Sequence, residues 1–210
     1  MGDEFDELVR RLREGDPAAA GALFELCRDR LRRMVRLRLD RRLQGRLDPD
    51  DVLQEAFLDV QKKAADFAGK PDMPAYLWLR LVTAERLLVL HRHHLGARAR
   101  DAGREVSLCA GGPAASTHSL ANLLLGRLTS PTQAAVRAER QLRLQEALNG
   151  MDPVDREVLA LRHFEELSNA EAAAVLGVSK TAASNRYVRA LKRLKDMLAA
   201  VPGIDPNAAG

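Results

Sequence analysis

The sequence predicts an all-α protein of two small helical domains joined by a flexible linker. Over most of the chain, apolar residues recur at the three- and four-residue spacing of amphipathic helices. Only 4% of the 210 residues are aromatic, and β-branched residues show little of the clustering that is typical of strands. Asp-Pro pairs, which are frequent at helix starts, open three of the predicted helices.

Changes in composition divide the chain into four segments. Residues 1–95 and 134–200 carry the helical apolar pattern and are predicted to form the two domains. Residues 96–133 are rich in Gly, Ala, Ser and Thr, as is typical of a linker, and contain one short apolar island at residues 120–128. We expect this linker to allow more than one relative placement of the domains. The tail, residues 201–210, is expected to be disordered.

The first domain is predicted to contain four main helices, each with an inward apolar stripe. Gly15 ends the first helix, Asp-Pro pairs start the second and third, and Pro74 opens the fourth. In the fourth helix, the spacing of Trp78 with its apolar neighbours indicates a core position. The expected helices cover about residues 3–14, 17–39, 49–67 and 74–94.

The second domain is predicted to end in two helices joined by a tight turn. Ser168 and Glu171 form a capping-box pattern at the first helix, and Gly177 suits the left-handed conformation that ends it. Ser179 can cap the second helix, which is rich in Lys and Arg. A glycine turn followed by a basic helix is typical of a helix-turn-helix that binds DNA. Two further helices precede this pair, one ending near Leu148 and one over residues 154–166.

Charge and cysteine usage limit the classes of protein to be considered. The formal net charge is +4, so an acidic polymer is a plausible partner. Nine arginines lie from Arg28 to Arg46, and for this run a solvated helix face and a contact surface remain alternatives. Cys27 and Cys109 lie far apart, so reduced thiols are expected rather than a disulfide framework. No apolar run is long enough to span a membrane and no signal peptide is present, which predicts a cytoplasmic protein without membrane insertion.

The sequence shows no pattern that indicates an enzyme. It contains no glycine-rich phosphate loop, no nucleophile motif and no organised acid–base pair. His91, His93 and His94 lie close together, but no Cys or carboxylate nearby in sequence completes a metal site. We therefore expect no catalytic residues, no metal and no cofactor.

Three stretches together resemble the extracytoplasmic-function (ECF) sigma factors, which are specificity subunits of bacterial RNA polymerase. The region 2 helix that binds the polymerase core is similar to LDPDDVLQEAFLDVQKK, residues 47–63. The start of the helix that meets the −10 promoter element resembles AYLWLRLV, residues 75–82. Region 4, which reads the −35 element, resembles residues 148–194. The two blocks occur in the order and spacing of the family.

The resemblance implies that the last helix of the helix-turn-helix reads the −35 element. Asn and Ser side chains can hydrogen-bond to base edges, and Arg can bind guanine through two hydrogen bonds. The positions that match the groove-facing residues of the family are Ser184, Asn185, Val188 and Arg189. The residues expected to complete the interface, mainly through phosphates, are Lys180, Thr181, Arg186, Lys192 and Arg193.

The resemblance also implies that the loop at residues 67–74 captures an unstacked base when the −10 element opens. In place of the Arg-Asn pair that relatives commonly have, this chain has Glu85-Arg86, and an acid beside DNA puts the specificity of this face in question. The residues expected to contact DNA here are Lys70, Arg80, Arg86 and Arg92.

Core polymerase is expected to bind the exposed polar face of the third helix, through Asp51, Gln54 and Glu55. The implied partners are bacterial RNA polymerase core, promoter DNA and an anti-sigma factor or other inhibitor. The predicted function is that of a sigma factor that directs promoter-specific transcription initiation. A stand-alone helix-turn-helix regulator with an N-terminal sensory or dimerisation domain is the alternative. A helical adaptor without a DNA role is disfavoured by the basic recognition helix.

Overall fold

The fold is described from a computed structural model, which covers residues 2–95, 112–128 and 134–200. The chain divides into two units, Met1–Pro113 and Ala114–Gly210. The described residues are almost entirely helical, which confirms the predicted fold class. Most of the predicted linker, the predicted tail and Cys109 lie outside the described residues.

The described residues of the first unit form five α-helices, and local sequence explains the starts of the second and third. Asp16 accepts a hydrogen bond from the backbone of Ala18 and caps the second helix. Asp48 and Asp51 form a complete capping box on the third. The helices are α1 (Gly2–Arg13), α2 (Pro17–Arg38), α3 (Pro49–Lys62), α4 (Ala64–Ala68) and α5 (Ala75–Leu95), with a short 3-10 turn at Arg41–Leu43.

The core of the first unit lies where α2, α3 and α5 meet. Trp78 is fully buried against Phe67, with 5.1 Å between the ring centroids, which confirms its predicted core position. Phe24 of α2 meets Phe57 of α3 edge to face at 5.5 Å. A Cβ atom at Gly21 would lie 3.4 Å from the Phe57 ring, so the glycine allows these two helices to approach closely.

One predicted helix is broken in the structure. The pattern over residues 49–67 suggested one continuous helix, but α3 ends at Lys62 and α4 begins at Ala64. The break turns Phe67 into the core, where it contacts Trp78. The sequence offers no Gly or Pro at this point, so the break is set by tertiary contacts.

Five α-helices are also found in the part of the second unit that the structure describes. They are α6 (Thr117–Leu128), α7 (Ala134–Asn149), α8 (Pro153–Leu159), α9 (Asn169–Leu176) and α10 (Lys180–Ala199), and a π-helical turn at Ala160–Phe164 extends α8. The apolar island of the predicted linker is part of α6, which packs along α7. Leu120, Leu124 and Leu125 are buried there.

The described residues can be examined for metal-binding groups and for membrane-spanning helices. Within the described ranges, no group of three or more His, Cys, Asp or Glu side chains is arranged to hold a metal ion. His91 is instead a hydrogen-bond acceptor for the backbone N–H of Asp40, at 3.3 Å from Nε2. Among the helices described, none combines the length and apolar character needed to cross a bilayer.

Candidate nucleic-acid interface

The C-terminal helix pair has the local geometry of a helix-turn-helix. Ser168 and Glu171 exchange hydrogen bonds of 2.7 and 3.2 Å between side chain and backbone and thereby cap α9. Gly177 ends α9 in the left-handed conformation, with φ at 65°. Ser179 then caps α10 by accepting from the backbone of Ala182 at 3.1 Å. These devices were predicted from the sequence, and the structure confirms them.

Small buried residues let α10 lie close to the rest of the second unit. Ala183 and Ala190 are completely buried, and Leu194 and Leu198 continue the same side of the helix. The Asn169 amide also donates to the carbonyl oxygen of Lys180 at 2.8 Å, which ties the start of α9 to the start of α10. One side of α10 is therefore fixed against the unit and the other side faces solvent.

The solvent side of α10 carries a continuous polar stripe with one apolar member. Its spacing of three and four residues places the members on one face, and all of them are exposed. Val188 is the most apolar of the group and is 64% exposed. We call this surface the α10 stripe; it consists of Thr181, Ser184, Asn185, Val188 and Lys192.

Three arginines predicted for the same interface are bound to groups of their own unit. Arg189 places Nε and Nη2 at 2.7 Å from the two carboxylate oxygens of Asp155 on α8. Arg186 donates to the same carboxylate at 3.0 Å. Arg193 donates to the carbonyl oxygen of Gly150 at 2.8 Å. The three guanidinium groups beside the stripe are thus held by hydrogen bonds within the unit, whereas Lys180 is exposed.

Asp155 is the residue that sequence reasoning missed here. It is buried, and the hydrogen bonds from Arg189, followed by those from Arg186, hold the pKa of its carboxyl below the usual value. It lies 31 and 34 residues from its two partners, so no local pattern relates them. Its position inside the first turn of α8 is explained equally well by the helix dipole.

The face of α5 predicted to contact the −10 element differs from expectation at two arginines. Arg80 is only 2% exposed, so the expectation that it contacts a DNA backbone is wrong for this structure. Arg86 binds Asp59 of α3 and lies 3.4 Å from Glu55. Lys63 pairs with Glu85 at 2.6 Å. The unusual Glu85-Arg86 pair therefore joins α5 to α3.

The loop before α5 is shorter than the predicted residues 67–74, because Phe67 and Ala68 belong to α4. An arginine from α1 holds this loop. Arg13 donates to the carbonyl oxygens of Lys70 and Met73 at 3.3 and 3.2 Å. Its guanidinium carbon also lies 4.7 Å from the centre of the Phe67 ring. The Lys70 side chain is exposed, and Arg92 is exposed near the end of α5. These two cations remain available on the predicted −10 face.

The exposed face of α3 contains the three residues predicted to bind core polymerase and one that was not predicted. Asp51 and Gln54 are exposed, but an oxygen of Asp51 also accepts the backbone N–H of Asp48 as part of the helix cap. Glu55 is half-exposed beside Arg86. Leu58, one turn beyond Gln54, is 53% exposed. The sequence did contain a sign of this exposure, because Leu58 follows the outward-facing Gln54 by four positions and so lies on the same face of the helix.

Comparison with known proteins shows which proteins this chain resembles. The family model Sigma-70, region 4, matches residues 141–194, which include α9, the turn after it and most of α10. The chain is 28% identical to the ECF RNA polymerase sigma factor SigD of Mycobacterium tuberculosis over 200 residues, which span 95% of this chain and 86% of SigD. These matches make the chain similar to the ECF sigma factors in both sequence and domain content.

Two further matches are to another sigma factor. The chain is 29% identical to the RNA polymerase sigma factor CnrH of Cupriavidus metallidurans over 151 residues, 72% of this chain and 73% of CnrH. In fold it is similar to CnrH in complex with the cytosolic domain of CnrY, with a TM-score of 0.55, 24% identity, and coverage of 94% of this chain and 99% of that chain. The structural match concerns the fold alone.

Proposed function

We propose that this chain is an ECF sigma factor, which binds core RNA polymerase through α3 and directs promoter-specific initiation by reading a −35 element with α10. The observation that carries the proposal is the α10 stripe, which projects from a helix-turn-helix within the region 4 match. Ser184 and Asn185 supply hydrogen-bonding groups for base edges, and Val188 supplies an apolar contact of the kind that thymine methyl groups accept. Lys180 and Lys192 supply charges for phosphates.

For the −10 element, we propose that the loop at residues 69–74 receives an unstacked base. Support comes from the exposed Lys70 and from the hydrogen bonds by which Arg13 fixes the loop backbone. Arg92 is proposed as a phosphate contact. Arg86, which is bound to α3, is assigned to the support of this face rather than to direct contact.

The central experiment is transcription by reconstituted holoenzyme. Bacterial core polymerase is incubated with the full chain and genomic DNA of the encoding bacterium, and the 5′ ends of the transcripts are sequenced. We expect a set of start sites that share one motif near −35 and another near −10, absent with core polymerase alone. Start sites without shared motifs would contradict the proposal. Tight binding to a duplex site in the absence of polymerase would support the stand-alone regulator instead.

The α3 surface can be tested with a matched pair of exposed leucines. Leu58 on α3 and Leu142 on α7 are similarly exposed, at 53% and 58%. Leu58→Lys is expected to weaken binding to core polymerase by about tenfold or more, because it places a charge where an apolar contact is proposed. Leu142→Lys should leave binding unchanged. We prefer these variants to reversal of Asp51, because Asp51 also caps α3.

We also propose an anti-sigma factor or other inhibitor as a partner. The structure of the similar factor CnrH contains a bound protein, the cytosolic domain of CnrY. A protein that covers the α3 face or the α10 stripe would compete with polymerase or promoter DNA. Competition between a captured partner and core polymerase for the purified chain would test this proposal.

A further inference from the structure

One buried carboxylate of the second unit holds two arginines of the recognition helix. The side chain of Asp155 is 5% exposed, whereas that of Arg189 is 60% exposed. Each carboxylate oxygen accepts from Arg189 at 2.7 Å, and one of them also accepts from Arg186 at 3.0 Å. Both arginines belong to the helix that carries the α10 stripe, and both bind the same carboxylate.

The geometry leaves part of Arg189 for another partner. The pair with Asp155 uses the Nε and Nη2 edge of the guanidinium, so the Nη1 end remains for an acceptor outside the protein. A bidentate pair fixes the plane of the guanidinium. An arginine held in this way does not lose the full rotamer entropy of a free side chain when it binds. A fixed guanidinium beside Asn185 and Val188 can therefore read a defined position of a groove.

The same carboxylate limits the unspecific attraction of α10 for DNA. Asp155 is ionised at neutral pH, and it offsets the charge of one arginine in the middle of a helix that is otherwise strongly basic. Affinity for any phosphate backbone grows with the number of cations that replace counterions. A fixed anion below the helix lowers this unspecific component while it preserves the directed hydrogen bonds.

We infer that Asp155 is a positioning residue for promoter recognition, which orients Arg189 and Arg186 toward DNA and reduces sequence-independent binding. The inference rests on the proposed function of α10 and adds to it a residue that does not touch DNA. It predicts two separate effects of removing the charge of Asp155: lower discrimination between sequences and higher affinity for unrelated DNA.

The test uses the full chain bound to core polymerase and a duplex library with 12 randomised base pairs in the −35 region. Sequences enriched by the wild type define its preference, and an unrelated duplex of the same length measures unspecific binding. For Asp155→Asn we expect about tenfold less enrichment of the preferred sequences. Binding to the unrelated duplex should become tighter and its logarithmic salt dependence steeper by about one phosphate contact, a slope change of about 0.9.

Asp152→Asn is the matched control. Asp152 lies 3.5 Å from Arg186 and is half-exposed, and asparagine can still cap α8. This variant removes the same charge without touching Arg189. It should raise unspecific binding slightly and leave the enrichment intact. Equal loss of enrichment in both variants would reduce the role of Asp155 to net charge and overturn the inference.

Two further variants separate positioning from folding. Asp155→Glu still offers a carboxylate to both arginines, so it should recover part of the enrichment that Asp155→Asn loses. If Asp155 served packing alone, the larger side chain would bring no such recovery. In an Arg189→Ala background, Asp155→Asn should cause little further loss of enrichment. Additive losses, or unchanged enrichment in both Asp155 variants, would overturn the inference. A wild type that enriches no sequence would contradict the proposed function itself.

Discussion

At the scale of single residues, His91 joins the end of α5 to the turn after α2. Its Nε2 accepts from the backbone of Asp40, so the ring is neutral in this arrangement. Burial lowers its pKa below the usual 6.5, against the opposing effect of the Asp40 carboxylate, and the nearby Arg42 lowers it further. The folded chain therefore binds a proton at His91 less readily than the unfolded chain does.

This difference predicts a pH dependence of stability. The contribution of neutral His91 is complete above about pH 6.5, and it is lost as the pH falls below 6.5 toward the folded-state pKa. The slope from this group is at most about 1.4 kcal/mol per pH unit. Urea denaturation at pH 7.5, 6.5 and 5.5 should show this loss for the wild type and a smaller one for His91→Gln. Identical slopes for the two proteins would contradict the assignment.

Cys27 gives a second prediction at this scale. It lies buried in α2, and burial raises the pKa of its thiol to about 11. In a Cys109→Ser background at pH 8, alkylation should be slower in the native chain than in urea by on the order of 100-fold, because the thiolate is the reactive form. Comparable rates in the two conditions would show that the thiol is accessible.

At the scale of helices, two ion pairs connect α5 with α3 and with Lys63, the residue that follows α3, and they differ in burial. Asp59, the partner of Arg86, is largely buried, whereas Lys63 and Glu85 are both about half-exposed. Arg86→Ala should therefore lower the free energy of unfolding by about 1–3 kcal/mol, since it leaves a carboxylate without its partner. Lys63→Ala should cost less than about 1 kcal/mol. Chemical denaturation of both variants would check the order, and a larger effect for Lys63→Ala would reverse the interpretation.

The helices themselves could largely be predicted from the sequence, because their starts depend on local capping groups. The Asp48 and Ser168 caps and the Gly177 turn were found where the pattern placed them. The orientation of α5 could not be predicted in the same way. Six consecutive residues, from Ala75 to Arg80, are buried, so periodicity shows no outward face on which Arg80 could be excluded.

In the candidate site, too, features set within one helix could be predicted from the sequence, and features set by packing between helices could not. The α10 stripe results from helical spacing within one element, and the sequence identified all of its members. The pairing of Asp155 with Arg186 and Arg189 depends on how α8 packs against α10, which no local pattern contains. Leu58 was missed because exposure of an apolar residue is decided by the packing of the helix that carries it.

At the scale of the whole molecule, the proposed division of labour predicts that assembly and promoter reading can be lost separately. Leu58→Lys should lower initiation at limiting chain concentration and recover it when the chain saturates core polymerase. Asn185→Ala should bind core polymerase normally and yet reduce initiation from the wild type's preferred promoter by about tenfold at any concentration. Binding by fluorescence polarisation and run-off transcription measure the two steps. A Leu58→Lys defect that persists at saturation would contradict the assignment of α3.

The contact of Arg13 with the loop before α5 determines when the loop loses its backbone entropy. A loop that orders only when it meets its ligand loses backbone entropy of about 1–2 kcal/mol per residue in each binding event. Here the carbonyl oxygens of Lys70 and Met73 are already bound to a side chain from the first helix of the chain. That loss then occurs once, during folding, and is not repeated at each promoter. The N-terminal helix, which touches no proposed ligand, thereby contributes to how readily the loop can accept a base.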